Sequence, residues 1–131
     1  MPEDPQHATP IFKIVTRAQW RDALAHGTFA GSADDLRDGF IHLSAAHQVQ
    51  GTLARHFRGQ NDLMLAAFEA AALEPGLKWE VSRGGDLFPH LYAPLDPQLA
   101  LWTRALQLDD CGMPLVPEGL LPPVLLQESK S

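Results

Sequence analysis

A short apolar strand that leads directly into a capped helix constrains this sequence more than any other feature. Residues 11–15 (IFKIV) are β-branched and aromatic, which favours a strand. Thr16 and Gln19 then match a capping box, in which a hydroxyl and an amide satisfy free backbone N–H groups at a helix start. Apolar residues recur at helical spacing until Gly27, which suits a left-handed C-cap. The pattern predicts a helix over residues 17–26.

Further elements follow from the same signals. The polar stretch 31–38 favours a loop, and residues 39–44 (GFIHLS) favour a second strand. Val49, Leu53 and Phe57 recur at i, i+4 and i+8, which predicts a second main helix. Ser44 is a candidate N-cap for this helix, because its hydroxyl can accept a hydrogen bond from a backbone N–H.

The secondary structure of residues 62–70 is ambiguous from the sequence. Residues 62–70 are good helix formers, yet the apolar run at the start of this stretch fits a buried strand as well. Residues 77–81, 87–92 and 99–106 favour strands. Pro89 lacks an N–H, which predicts a sheet edge or irregular extended chain for its segment.

Length and composition favour one small intracellular domain. With 131 residues the chain fits a single α+β domain, which we expect to contain a mixed or split β-sheet and two main helices. A net charge of -6 disfavours nucleic acid or a membrane as the main partner. One cysteine excludes an intrachain disulfide, and the chain has neither a signal-peptide pattern nor an apolar run of ~20 residues, so we expect a cytoplasmic protein.

The predicted domain has less regular segments on both sides. Residues 1–10 are polar and proline-containing and predict a flexible N-terminal arm. Residues 11–108 form the expected domain. Residues 109–131 make a proline-rich C-terminal tail that is too apolar for simple disorder. We expect this tail to pack along the domain or to form a homodimer contact.

The candidate site follows from the alternation of side chains along strands. Phe40, His42 and Ser44 share one face of their strand, and Phe88, His90 and Tyr92 share one face of theirs. If the two strands are neighbours, they form a pocket with two imidazoles, two hydroxyls and an apolar wall, which suits a small-molecule ligand. The alternative is that both histidines are satisfied core residues and that Ser44 is only a helix cap.

Two charged residues are further candidates. Glu80 is the best carboxylate for the pocket, although its position also fits a solvated strand residue. Lys13 shares a face with Ile11 and Val15, and it is either an edge-strand charge that prevents aggregation or a cation facing the pocket.

These residues lie in segments that resemble the bacterial family known as domain of unknown function 952. The resemblance covers about residues 11–106, and it rests on IFKIVT (11–16) with Trp20 and Gly27, GFIHLS (39–44) with Gln48, FRG (57–59), Asp62-Leu63, Trp79-Glu80 and LFPHLY (87–92). It implies an ADP-ribosyltransferase-like fold, in which a split sheet holds NAD in a cleft. It also favours a strand rather than a helix over residues 62–69.

The family's recurrent polar positions fall on residues that the alternation also selects. They are His42, Ser44, Gln48, Glu80, His90 and Tyr92. The chain departs from the family at Lys13, where a histidine is usual. Lysine donates hydrogen bonds but has no acceptor nitrogen, which weakens the case for standard NAD chemistry.

The sequence is therefore consistent with three alternative functions. The leading one is a small-molecule-binding domain with NAD or another nucleotide sugar as ligand, in which Glu80 and His90 are the catalytic candidates and His42, Ser44, Gln48, Tyr92 and Lys13 bind the ligand. The second is a non-catalytic interaction or sensor module. The third is a metal-dependent hydrolase built on histidines, although no zinc-type spacing supports it.

Overall fold

The first strand lies inside the larger of two main antiparallel sheets and is covered on both faces. The structure is a computed structural model that describes residues 9–117 and 119–121. Strand β1 (Pro10–Thr16) pairs with β4 (Leu63–Glu69) along its whole length. The other members of this sheet are β3 (Ser44–Ala45) and β7 (Trp102–Ala105), and the strand order is β3-β1-β4-β7.

Alternate residues of β1 enter two separate hydrophobic cores. Ile11 and Val15 pack with Phe68 in one core, and Phe12 and Ile14 pack with Leu65 in the other. Burial on both faces explains why the β1 sequence is almost uniformly apolar rather than alternating.

The smaller sheet contains β2 (Ile41–His42), β6 (Leu87–Leu91) and β5 (Leu77–Val81), in the order β2-β6-β5. A hairpin of β8 (Gln107–Leu108) and β9 (Pro114–Leu115) follows. Every pairing between these strands is antiparallel and the strands divide into separate sheets, so of the expected mixed or split sheet only the mixed alternative is wrong.

Helix α1 (Arg17–His26) has the predicted boundaries. Thr16 and Gln19 form the reciprocal capping box, and Gly27 closes the helix in the left-handed conformation with φ of 82°. Helix α3 (Val49–His56) buries Val49 and Leu53 as expected. However, a single 3-10 turn (Ala46–Gln48) precedes it, so the proposed role of Ser44 as its cap is wrong.

The polar stretch interpreted as a loop contains a short helix, α2 (Ala33–Asp38), so that interpretation is wrong, and the described chain has a third α-helix beside the two main ones. A second capping box explains this helix. Ser32 accepts a hydrogen bond from the backbone N–H of Asp35, and the Asp35 carboxylate accepts one from the N–H of Ser32. A six-residue helix that buries one residue has no apolar periodicity to reveal it.

The predicted strand over residues 39–44 divides between the two sheets. Ile41 and His42 form β2 and pair with β6, whereas Ser44 and Ala45 form β3 and pair with β1. The chain therefore changes sheet at Leu43, which donates its backbone N–H to the carbonyl of Pro89.

Pro89 lies in the central strand of the smaller sheet, so its predicted edge position is wrong. Its carbonyl points towards β2, and so does its nitrogen, because the N and O atoms of a strand residue face the same neighbour. Strand β2 ends at His42, just before Leu43, which is opposite Pro89. The missing N–H thus costs the sheet one bond at a point where the pairing ends.

The remaining segments agree with the family resemblance over β4 and place part of the tail on the domain. Residues 63–69 form a strand and not a helix. The boundary expected between residues 108 and 109 falls inside the β8–β9 hairpin, and Val116, Leu120 and Leu121 pack against the core of Leu65. Residues 1–8 of the expected arm, and residues 118 and 122–131 of the tail, lie outside the described residues. No helix in the described ranges is long and apolar enough to cross a membrane.

The packing predicts which leucine carries stability. Leu65 of β4 is 0% exposed and Leu24 of α1 is 54% exposed. Leu65→Ala should lower the free energy of unfolding by roughly 2–5 kcal/mol, because it leaves a cavity in the sheet's core. Leu24→Ala should change it by less than about 0.5 kcal/mol. Urea denaturation of both variants checks this, and equal losses would contradict the assignment of the core.

Candidate functional site

A cleft of about 220 Å³ lies where the two sheets diverge. Strand β1 contributes Lys13, the β2–β3 segment contributes His42 and Ser44, and β6 contributes His90. Helix α2 supplies acidic residues at one end. The apolar wall consists of the aromatic and aliphatic side chains of Phe12, Ile14, Leu43, Phe57 and Phe88.

The Asp35 carboxylate is the centre of the polar network in this cleft. It is 2% exposed and forms an ion pair with Lys13 at 2.9 Å. It also accepts hydrogen bonds from the backbone N–H of Ser32 and from both the backbone N–H and the Nδ1 atom of His42, the last at 2.6 Å. One buried carboxylate thereby joins β1, the start of α2 and β2.

Lys13 completes this network. It is 5% exposed, and its Nζ atom donates to the His42 carbonyl at 2.8 Å as well as contacting Asp35. Because β1 is an inner strand, the interpretation of Lys13 as an edge-strand charge is wrong. Lys13 instead lines the cleft, which is the alternative given above. The bond to the His42 carbonyl braces β2 against β1, and the ion pair with Asp35 ties β1 to α2.

Burial shifts the pKa values of Asp35 and Lys13 in opposite directions. Burial raises the pKa of Asp35, but the hydrogen bond from His42 and the charge of Lys13 outweigh burial and hold that pKa well below its usual value. Burial lowers the pKa of Lys13, and the Asp35 carboxylate partly offsets this effect. Each charge offsets part of the desolvation of the other, so removal of either partner leaves an uncompensated buried charge.

His42 lies between two carboxylates. Its Nδ1 atom contacts Asp35, and its Nε2 atom is 3.0 Å from Asp38. A neutral imidazole has one N–H donor, so both contacts are hydrogen bonds only in the protonated ring. Asp38 also binds Arg37 at 3.0 Å, and the hydrogen bond from Arg37 lowers the pKa of Asp38. His42 is thus fixed in orientation at the acidic end of the cleft.

His90 is held from the other side by Glu80. The Nδ1 atom of His90 is 2.7 Å from Oε1 of Glu80, and the Tyr92 hydroxyl donates to the same oxygen at 2.8 Å. The hydrogen bonds from His90 and Tyr92 lower the pKa of Glu80, and the same contact raises the pKa of Tyr92. An ionised Glu80 accepts the Nδ1 proton of His90, which fixes the tautomer of the neutral ring.

The two histidines are direct neighbours in the smaller sheet. His42 pairs with His90 in the β2–β6 register, and their rings lie 5.6 Å apart. Phe40 stacks on His90 with a centroid distance of 4.1 Å and contacts His42 at 4.6 Å and Tyr92 at 5.3 Å. The structure thus brings together the two segments that face alternation selected.

Three of the four remaining predicted residues lie outside the cleft lining. Glu80 contacts His90 from the side away from the cleft, and Tyr92 contacts Glu80. Gln48 is buried, where its amide donates to the Leu87 carbonyl and accepts from the N–H of Ala45, so it ties β3 to β6. Ser44 does line the cleft, with its hydroxyl 3.3 Å from that of Thr52.

Sequence reasoning missed the acidic half of the site. Asp35 and Asp38 lie on the helix that was interpreted as a loop, and Thr52 lies on the cleft side of α3. The available signal was the Ser32-x-x-Asp35 spacing, which is a capping-box pattern. It indicates a helix start but gives no sign that the capping carboxylate also binds Lys13 and His42.

No group of three or more His, Cys, Asp or Glu side chains within residues 9–117 and 119–121 is arranged to hold a metal ion. The closest approach of such groups is His42 with its two aspartates, where both ring nitrogens already contact carboxylates. This arrangement orients an imidazole rather than offering its lone pair to a cation.

Comparison with known proteins identifies the family. The family model described as protein of unknown function DUF952 matches residues 14–103, which is more than half of the chain. The chain belongs to the DUF952 family. Lys13 lies one residue before the matched range, whereas the two histidine strands and Asp35 lie inside it. The resemblance stated from the sequence is therefore confirmed.

Two solved structures of protein CC0527 from Caulobacter crescentus are similar to this DUF952 chain. The crystal structure shares 54% identity with a TM-score of 0.80 and covers 82% of this chain and 94% of that one. The solution NMR structure shares 49% identity with a TM-score of 0.73 and covers 91% and 95%. None of the curated proteins compared matches the chain.

The ion pair predicts a large effect of one aspartate and a small effect of its neighbour. Asp35→Asn removes the charge that compensates buried Lys13, and the free energy of unfolding should fall by roughly 3–5 kcal/mol. Asp34→Asn, on the exposed side of the same helix, should change it by less than about 0.5 kcal/mol. Chemical denaturation at neutral pH checks both values, and a similar loss for the two variants would contradict the network.

The same pair predicts a pH dependence. The pKa of folded Asp35 lies below its usual value of 3.8, so its stabilisation is present above about pH 4 and is lost as the pH falls towards the folded pKa. The stability difference between the native chain and Asp35→Asn should therefore shrink on acidification below pH 4. A difference that stays constant down to the acid transition would contradict an ionised Asp35.

Tyr92 offers a direct optical test of its contact with Glu80. The chain has one tyrosine, so tyrosinate absorbance reports this side chain alone. The hydrogen bond to Glu80 should move its titration above the usual pKa of 10.0, and Glu80→Gln should move it back towards that value. Circular dichroism at each pH confirms that the fold persists. An unchanged titration curve in Glu80→Gln would show that the contact is absent in solution.

Proposed function

We propose that the cleft binds the nicotinamide–ribose end of NAD or of a related nucleoside. The observation that supports this most strongly is the side-by-side placement of His42 and His90, each oriented by carboxylates, at the mouth of a partly apolar cleft. The Nε2 atom of His90 suits a ribose hydroxyl, because it can accept a hydrogen bond from that oxygen, whereas both ring nitrogens of His42 contact carboxylates, so His42 supplies a fixed ring surface beside it.

The walls of the cleft favour a planar group beside the sugar. Phe12, Phe57 and Phe88 supply apolar and aromatic surface, and the Ser44 and Thr52 hydroxyls supply polar contacts. A few polar groups within a mainly apolar lining are typical of sites that fix the orientation of a small ring system.

The volume limits how much of a dinucleotide can enter. Sites for drug-sized ligands occupy about 300–1,000 Å³. At about 220 Å³ the cleft suits one nucleoside-sized part, with any second nucleotide left outside. The bound part would therefore be one end of NAD rather than the whole molecule.

The charges favour the nicotinamide end over a phosphate. Asp34, Asp35 and Asp38 line the cleft together with Lys13 and Arg37, and Lys13 is already paired with Asp35. This set lacks the surplus positive charge that a phosphate requires, whereas the cationic pyridinium ring of NAD suits it. Lys13 takes a bracing role at the position where the family usually has histidine.

The position of Glu80 supports a role for His90 in proton transfer and not a direct contact between Glu80 and the ligand. Its Oε1 atom accepts from His90 and Tyr92, and Glu80 does not line the cleft. With the Nδ1 proton directed at Glu80, the Nε2 atom of neutral His90 is an acceptor for a ligand hydroxyl. Glu80 is thus a positioning residue in this proposal.

The ligand can be tested by thermal shift and calorimetry with nicotinamide riboside, NAD and ADP-ribose. Nicotinamide riboside and NAD should both stabilise the protein, by about 2.7 kcal/mol at a concentration one hundred times the Kd. ADP-ribose lacks the nicotinamide and should stabilise it less. Absence of stabilisation by all three at millimolar concentration would overturn the proposal, and a preference for ADP-ribose would overturn the assigned orientation.

A matched pair of threonine variants locates the ligand. Thr52 lines the cleft, whereas Thr103 in β7 is similarly half-buried but lies outside it. Thr52→Ala should weaken nicotinamide riboside binding by up to about tenfold through loss of one hydroxyl contact, and Thr103→Ala should leave the Kd unchanged. Equal effects of the two substitutions would place the ligand elsewhere.

A further inference from the structure

Strand β5 has one edge that no described strand covers. It pairs only with β6. The bonds from Tyr92 N–H to the Gly76 carbonyl and from Ser82 N–H to the Asp86 carbonyl fix which positions face β6. Because bonded and non-bonded pairs alternate in an antiparallel ladder, the backbone groups of Leu77, Trp79 and Val81 face the opposite, open side. No hydrogen bond to these groups occurs within the described residues.

The same three residues form an apolar stripe on one face of the strand. Leu77 enters the core beside Leu91, but Trp79 is 38% exposed and Val81 is 69% exposed. Leu87, directly opposite Val81 on β6, is 52% exposed. The core face of the smaller sheet thus continues as an uncovered apolar surface towards the end of β5.

The other face of β5 has two opposite charges. Lys78 and Glu80 are two residues apart and flank Trp79 symmetrically. If a second β5 pairs antiparallel about a two-fold axis through Trp79, each Lys78 lies opposite Glu80 of the partner subunit. Leu77 then lies opposite the partner's Val81, and both apolar stripes share one face.

We propose that two copies of this chain associate through the open edges of β5, in an antiparallel pairing centred on Trp79. The pairing would join two three-stranded sheets into one continuous sheet. It would engage the outward backbone groups of Leu77, Trp79 and Val81 and cover the exposed apolar stripe. The inference is independent of the ligand proposed above.

Charge complementarity favours a second copy over other occupants of the edge and selects the register. Pairings centred on Lys78 or on Glu80 place like charges opposite one another, whereas the pairing centred on Trp79 places opposite charges together. An edge lysine alone would discourage strand addition, but Glu80 at the symmetric position reverses this effect in the two-fold pairing. A five-residue strand buries a small area, so we expect a dimer that dissociates on dilution.

Sedimentation equilibrium of the full chain over a range of concentrations tests the proposal. The mass should rise from 14.4 kDa to twice that value with concentration. Val81→Pro removes an N–H that faces the open edge and leaves the bonds to β6 intact, so it should keep the mass at the monomer value. Val81→Thr keeps the N–H and the β-branched shape and should still form the dimer.

Complementary charge variants test the register. Lys78→Glu and Glu80→Lys should each be monomeric alone, because like charges then lie opposite one another, and an equal mixture of the two should restore the dimer. Circular dichroism verifies that each variant folds, and if Glu80→Lys does not, the two Val81 variants decide. A native chain that stays monomeric at all concentrations overturns the proposal. A dimer that survives both Val81→Pro and Lys78→Glu also overturns it. If that dimer is then lost when residues 122–131 are removed, the result favours the C-terminal tail as the contact.

Discussion

The buried ion pair between Lys13 and Asp35 connects the parts of this fold that form the cleft. Lys13 lies on the inner strand β1, and Asp35 lies at the start of α2, more than twenty residues later. Through these two side chains, β1 is joined to the backbone and ring of His42. The cleft lies beside the junction of the two sheets. Backbone pairing between strands is sparse there, and these side-chain contacts hold the two sheets together.

Each half of the site has a carboxylate that orients an imidazole. Asp35 is buried and binds His42 and Lys13, so its loss would affect both folding and the site. Glu80 is at the surface and binds His90 and Tyr92, so it affects orientation more than stability. The two histidines are then brought together by the β2–β6 register, with Phe40 packed against both rings. This division between a buried and an accessible carboxylate explains how one face of a small sheet supports two fixed imidazoles.

Much of the fold follows from local sequence signals. The capping box at Thr16, the left-handed Gly27 and the β-branched run of β1 specify their elements by local chemistry. Side-chain alternation also selected His42 and His90, since both lie in short extended segments. Residues 62–69 are different, because leucine and alanine favour a helix and only the pairing with β1 and β7 makes them a strand. That pairing is a long-range property which the family resemblance supplied and propensity could not.

The acidic half of the site was not predictable in the same way. Asp35 caps its own helix, and that local role conceals its contacts with Lys13 and His42, which depend on how α2 docks. Likewise, the alternation that placed Glu80 and Tyr92 near His90 did not show that they lie behind it, outside the cleft. Side-chain direction across a sheet that bends at Leu43 is set by tertiary packing, which residue spacing does not describe.

The claim that Asp35 and Lys13 act as a unit is tested most directly by a double-mutant cycle on the free energy of unfolding. The cycle compares Lys13→Met, Asp35→Asn and the combined variant. Each single change leaves one buried group without its partner, and the double change removes both charges. We expect the combined loss to be smaller than the sum of the two single losses by roughly 2 kcal/mol or more. Additive losses would contradict the account, because they would mean that the two side chains stabilise the protein independently.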